Sequence, residues 1–265
     1  MSEVSTVLVI GASGSIGRPV VDELTRRGAN VRVLVRESSR DGFPEGTDVL
    51  VGAITDPDDV AEALDGVDAV VLTHGASAGG GRGTAENMEA VDYGAVKNVL
   101  TSAPEGLHIA LMTAICVTYP EIGYNQTSRV CDWKRRSERL VRSSGLPYTI
   151  VRPGWFDVVA DGENAVVLEQ GDQRHSGTAD DGGVARQQIA EVLVDSLYTD
   201  SAAYRTLELF AAPGDATTDL DQAFAALDAD LPGALDGVHD RDSQPLTEEP
   251  SRVLTDLDSV HGTRA

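Results

Sequence analysis

The chain has 265 residues, and its 41% hydrophobic content supports one large α/β core or two small ones. Asp and Glu number 43 against 21 Lys and Arg, a formal net charge of −22 that argues against nucleic acid or an anionic membrane as partner and fits the acidic surface of a halophilic organism. Cys116 and Cys131 make no disulfide framework, Met1–Ser5 is too short for a secretory leader, no apolar run approaches the roughly 20 residues of a membrane span, and His and Cys lack metal-ligand spacing; the expectation is a cytoplasmic protein without a metal.

A buried apolar strand is predicted at 6–10, and it runs directly into GASGSIG (Gly11–Gly17) and a helix over 15–27. A strand, a glycine turn and a helix N-terminus in that order present backbone N–H groups to a dinucleotide pyrophosphate. Gly11 permits the tight turn, Gly14 the close approach to the phosphates and Gly17 the packing of helix on strand. The second strand, 31–35, ends in Arg36, followed by Glu37, Ser38, Ser39 and Arg40. A ribose 2′-hydroxyl needs a carboxylate at that place and a 2′-phosphate needs positive charge, so Arg36 with the serine hydroxyls favours NADP over NAD.

Further strands are read at 48–52, 68–73, 107–112 and 147–151, with helices over 57–65, 85–102 and 129–144. Asp56-Pro57 marks a helix start, and Gly145 followed by Pro147 a helix stop. This alternation predicts a Rossmann-like doubly wound parallel sheet with helices on both faces and strand order 3-2-1-4-5-6. Three long loops, 75–84, 113–128 and 153–183, fall at the carboxyl ends of strands, where such sheets bind ligands. A helix over 185–199 and a strand over 204–210 complete a dinucleotide-binding domain of residues 1–228. Residues 229–265 read as a C-terminal arm with one helical piece, LTEEPSRVLTDL, lying on the body or on the second subunit of a homodimer.

GASGSIG, VRVLVRESS, TDPDDVAEALDGVDAVV, VDYGAVKNVL, WKRRSERLVRSSGLPYTIVRPGWF and GGVARQQIAEVLVDSL together resemble the atypical short-chain dehydrogenase/reductases, in the NAD(P)H-binding, NmrA-like and epimerase-like branch. The resemblance covers about residues 4–212. It implies that Gly11, Ser13, Gly14, Ser15, Ile16 and Gly17 hold the pyrophosphate and Arg36 the 2′-phosphate. It places Thr73, His74 and Gly75 at the adenine-side ribose and the nicotinamide entrance. It gives Lys134 the nicotinamide ribose, and Pro153, Gly154 and Trp155 backbone contacts beside the nicotinamide.

The chain also departs from the family. Active members carry a tyrosine four residues before the lysine, one helical turn away, where the ammonium lowers the phenol pKa and the phenol exchanges a proton with substrate. Here that position is Val130, and Ala114 stands where the polarising serine belongs, with Thr113 able to substitute only if the register shifts by one residue. The acidic residue after the third strand is replaced by Gly52-Ala53-Ile54. Lys134 is kept in a chain with only one other lysine, Lys97, which fits a need for a compact ammonium. Tyr124 and His175 are candidate substitute acids, against the competing readings of a loop tyrosine burying its ring and a solvated loop histidine. Three functions follow: an NADPH-dependent oxidoreductase passing hydride to a small flavin, quinone or carbonyl acceptor; a non-catalytic NADP(H) sensor or assembly factor; and, least supported without a base at Val130, a sugar epimerase.

Overall fold

The computed structural model describes residues 4–76 and 85–261, so most of the expected loop 75–84 lies outside the described residues. Five apolar runs become the parallel strands β1 (Thr6–Ile10), β2 (Asn30–Val35), β3 (Asp48–Val51), β4 (Ala69–Leu72) and β5 (His108–Met112), and β6 (Tyr148–Pro153) lies parallel beside β5. Two short strands, β7 (Trp155–Phe156) and β9 (Gly183–Val184), pair apart from the main sheet. β8 (Ala165–Glu169) runs antiparallel to β10 (Arg205–Ala212), which is parallel to β6. The full order is β3-β2-β1-β4-β5-β6-β10-β8: the expected order 3-2-1-4-5-6 with two strands added at one edge. Chain order reverses at β1, which pairs with both β2 and β4, and this is the switch point of the sheet.

Helices cover both faces, which is why the central strands are apolar at every position rather than at alternate ones. One face packs on α1 (Gly17–Arg26) and α7 (Arg186–Tyr198). The other packs on α2 (Pro57–Leu64), α4 (Gly94–Ser102) and α6 (Val130–Ser143). α2 starts as its sequence requires, with the Asp56 carboxylate accepting from Asp58 N at 3.0 Å and Pro57 in the first turn. The single helix expected over 85–102 is three pieces: α3 (Ala85–Met88), a π turn over Glu89–Tyr93, and α4. A four-residue α5 (Asn125–Ser128) precedes α6, and α8 (Leu220–Ala225) follows β10. Among the described residues no helix is long and apolar enough to cross a membrane.

The C-terminal segment lies on the body of its own chain. It crosses α6 and ends in α9 (Ser251–His261), which packs on α4 and α6. The contact is largely ionic. Arg135 and Arg139 pair with Asp236, Arg136 and Arg139 with Glu249, and Arg142 with Asp230. From β6, Arg152 pairs with Glu138 at 2.6 Å, Glu208 at 3.0 Å and Asp240 at 2.6 Å, and the side chain of every partner is buried.

Candidate cofactor site

The glycine loop closes on itself and on β4. Gly11 has φ +87°, and a Cβ there would lie 2.7 Å from the backbone N of His74. A Cβ on Gly17 would lie 2.1 Å from Gly11 O, and Gly14 N donates to that same oxygen at 2.9 Å. Ala12 and Ile16 are buried and anchor the loop, while Ser13 and Ser15 sit at its surface. α1 begins without a side-chain cap and without an acidic residue in its first turn. Arg18 N donates to Gly14 O at 3.1 Å, and with no carboxylate in the first turn to meet the positive end of the helix dipole, the loop fits a pyrophosphate.

At the end of β2 the two arginines separate. Arg40 pairs with Glu37 at 3.1 Å, whereas Arg36 is exposed and engages no carboxylate among the described residues. Arg18 donates to Gly42 O at 2.7 Å and lies over the Phe43 ring at 5.2 Å, tying α1 to the segment after Arg40. After β3 an acidic group is present, but it comes from α2: Asp59 accepts from Ala53 N at 2.7 Å.

Beyond β4, Thr73 donates its hydroxyl to Ile10 O at 3.2 Å, so it bonds β1. His74 is buried, its Nδ1 has no hydrogen-bond partner among the described residues, and burial pulls its pKa down to about 4. Gly75 and Ala76 meet Asp92, a residue the sequence reading missed. Asp92 Oδ2 accepts from Ala76 N at 3.1 Å, and Oδ1 pairs with Lys134 Nζ at 2.8 Å. Burial opposes the charge on Asp92, but Lys134 outweighs it and holds the carboxyl below its usual range. The one signal in the sequence was an aspartate on the inward stripe of VDYGAVKNVL.

The remaining candidates do not join this cluster. Thr113 is buried and donates to Glu138 Oε1 at 2.7 Å, so its hydroxyl belongs to the Arg152 network. Tyr124 stands edge-on to Trp155 at 6.3 Å, with its phenol against the thiols of Cys116 and Cys131. Burial pushes the phenol far above its ordinary range and both thiols up to about 12, so none of the three is an activated nucleophile or base. His175 is exposed and stacks on Tyr119 at 3.8 Å. Pro153 ends β6, and the Gly154 and Trp155 backbone N–H groups donate to Leu209 O and Gly182 O, leaving the half-buried indole to face the loop of Tyr124. A cleft of about 880 Å³ opens at the opposite, amino end of the strands between Asn30 and Tyr198, away from all of these groups.

A model of the NAD(P)H-binding family matches residues 11–200. Sanguinarine reductase of Eschscholzia californica is 27% identical over 261 aligned residues, covering 83% of this chain and 95% of that protein. Among solved structures, an anaerobillin reductase of Escherichia coli O157:H7 superposes with a TM-score of 0.60 at 19% identity, over 78% of this chain and 97% of that one. A short-chain dehydrogenase/reductase of Veillonella parvula in complex with NADP gives 0.53 at 16% identity, over 82% of this chain and all of that one. The glycine loop, the switch point and the match over residues 11–200 together place the chain in the NAD(P)H-binding family, within the atypical short-chain dehydrogenase/reductases.

Proposed function

We propose that the protein is an NADPH-preferring oxidoreductase that reduces a small acceptor of the flavin, quinone or carbonyl class without a catalytic tyrosine. The observation that carries this reading is the combination of an α1 N-terminus without a side-chain cap and an Arg36 that meets no carboxylate among the described residues. That pair of features suits a pyrophosphate and a 2′-phosphate. The reductase activity named for the Eschscholzia relative supports the direction of the chemistry.

NADPH, when bound, supplies the hydride. The chain's own residues bind and orient. Gly11–Gly17 and the α1 N-terminus hold the pyrophosphate, Arg36 with Ser38 and Ser39 holds the 2′-phosphate, and Lys134 donates N–H bonds to the nicotinamide ribose. Trp155 and Tyr124, edge-on to each other in the loops after β6 and β5, would line the acceptor side of the site. Val130 transfers no proton, and the Thr113 hydroxyl is committed to Glu138. A flavin or quinone suits such a site best, because its reduced form takes a proton from water.

The test is steady-state NADPH oxidation with a panel of flavins, quinones and aldehydes. Flavin or quinone turnover well above aldehyde turnover is the expected result; a positioned general acid is worth about 10²–10⁴-fold to the carbonyl reaction it serves. Brisk aldehyde reduction would overturn the tyrosine-free reading. The absence of an acid at Val130 and Thr113 also favours a second reading, a non-catalytic NADP(H) sensor. Tight NADPH binding with no turnover on any acceptor would select it.

A further inference from the structure

The loop after β5 is held from two sides. On one side stands Asp172, which accepts from Cys116 N at 2.6 Å and from Thr118 N and the Thr118 hydroxyl, each at 2.9 Å. Cys116 and Asp172 both adopt positive φ, +67° and +51°. Such a conformation is costly away from glycine, and it persists where the surrounding contacts over-determine it. On the other side stands the C-terminal segment, beyond the family match of residues 11–200. The Ser243 hydroxyl donates to Thr118 O, and the Arg241 guanidinium pairs with Glu121 and lies over the Tyr119 ring at 4.8 Å. Tyr119 also stacks on His175 at 3.8 Å. The loop after β5, the loop 153–183 and the C-terminal segment therefore meet at one tyrosine ring.

This junction is anchored on α6 and connects to the acceptor side of the site. Arg135, fully buried in α6, donates to the Ser243 hydroxyl and to Arg241 O at 2.8 Å, fixing the backbone from which the Arg241 side chain projects. From Cys116 to Asn125 the loop is a run of consecutive turns: Tyr119 N donates to Cys116 O at 3.1 Å, Ile122 N to Tyr119 O at 3.1 Å and Asn125 N to Ile122 O at 2.9 Å. Tyr124 lies in the last of these turns, edge-on to Trp155. The packing leaves little slack, since a Cβ on Gly177 would lie 2.7 Å from Ile122 Cδ1. A shift at Tyr119 is thus carried along the turns to Tyr124. The pair of Arg241 with Glu121 is half-exposed at both ends, and exposed pairs add little to global stability. What Arg241 supplies is the position of this loop.

We propose that Arg241 is a positioning residue for the acceptor: by holding Tyr119 and Glu121 it sets where the loop carrying Tyr124 stands against Trp155. The C-terminal segment is then part of the acceptor side of the site as well as a cover for α6. Arg241 touches neither cofactor nor acceptor. A planar aromatic acceptor is held by ring faces and edges that work over a narrow range of separations, so acceptor affinity is what Arg241 controls, and cofactor affinity is not. The inference rests on the oxidoreductase reading above.

Arg241→Gln removes the charge and the ring contact and leaves the backbone bond to Arg135. The experiment compares this variant with the unmodified protein by steady-state kinetics with menadione at saturating NADPH, by calorimetry with NADPH and by thermal melting. The KM for menadione rises about fivefold, the scale of one exposed cation–π contact, while NADPH affinity and melting temperature stay native. Arg241→Lys restores part of the loss, because a cation returns near the ring. In a Tyr119→Leu background Arg241→Gln adds little, because one acts through the other. A native KM in Arg241→Gln would overturn the inference and leave the NADPH reading standing. So would a joint loss of KM, NADPH affinity and melting temperature, which marks a purely structural role. If the unmodified protein binds NADPH but turns over no acceptor, the oxidoreductase reading fails, and menadione binding to the NADP⁺ complex decides the inference by calorimetry. Binding about fivefold weaker in Arg241→Gln supports it; equal binding, or none to either protein, overturns it.

Discussion

Arg36 and Arg40 stand four residues apart and meet different ends: Arg40 is spent on Glu37, and Arg36 is left facing solvent at the carboxyl end of β2. Glu37, a carboxylate one step beyond Arg36, is thereby paired with a neighbour. Replacing Arg36 by Asp should abolish a preference for NADPH over NADH of tenfold or more, since a hydrogen bond to a charged group contributes about 1.5–3 kcal/mol. Calorimetry with both cofactors checks it. His108 makes a different argument. It is buried at the start of β5, neither ring nitrogen has a partner among the described residues, and burial pulls its pKa down to about 4. Its folded pKa lies below the unfolded value of roughly 6.5, so the stability it contributes is present above that pH and is lost as pH falls toward 4. The loss is on the order of 3 kcal/mol. Glu208 runs the other way. Burial outweighs Arg152 and raises it to about 7, so its contribution is present below its unfolded pKa of about 4.5 and is lost as pH rises to 7. The two slopes oppose each other across that window. His108→Leu removes one of them and should raise the urea midpoint at pH 5 relative to the unmodified protein by more than it does at pH 8.

At the scale of the element, α6 shows how a charged helix comes to be buried on both sides. WKRRSERLVRS reads as an amphipathic helix with one apolar stripe and one solvated face. Its apolar stripe, Trp133, Leu140 and Val141, does pack on the sheet side. The arginine face is also buried, because the C-terminal segment lies across it and supplies Asp230, Asp236 and Glu249. The segment is bound by charge, so its acidic composition is the complement of the helix beneath. Arg152 is the centre of this contact, with Glu138, Glu208 and Asp240 around it. Arg152→Met would leave Glu208 and Asp240 buried without their paired cation and Glu138 with Arg142 alone. The expected cost is about 3–5 kcal/mol, the range for breaking a buried pair from one side. Urea unfolding measures the loss, and limited proteolysis should show earlier cleavage within residues 229–250.

For the whole molecule, charge divides into two populations. The buried pairs over α6 lie in a medium that salt hardly reaches, whereas the excess of exposed carboxylates behind the formal charge of −22 repels itself in dilute buffer. Raising KCl to about 1 M shortens the Debye length to about 3 Å and relieves that repulsion. The melting temperature should therefore rise with KCl. A flat or falling curve would sink the halophilic reading of the composition.

The sequence by itself determined the sheet and the nucleotide loop, because both are written in local chemistry. Apolar runs of strand length within 6–10 and 68–73, bounded by turn residues, suit strands covered on both faces, and Gly11 and Gly17 occupy positions where a Cβ would collide with backbone. The order 3-2-1-4-5-6 is the usual one for a doubly wound sheet whose first strand leads into such a glycine loop. Tertiary structure alone decided the environment of the polar side chains. That Thr113 bonds Glu138, that Tyr124 is wedged against two thiols, and that Asp92 reaches Lys134 depend on groups 25, 7 or more, and 42 residues apart meeting in the fold. The Asp92–Lys134 contact also depends on a π turn that no periodicity of 3.6 announces. The same holds for the arm: its acidity was plain in the composition, but that acidity reads as solvation until the arginines of α6 are seen beneath it. A side chain's partner across the fold is a property of packing, and packing is not local.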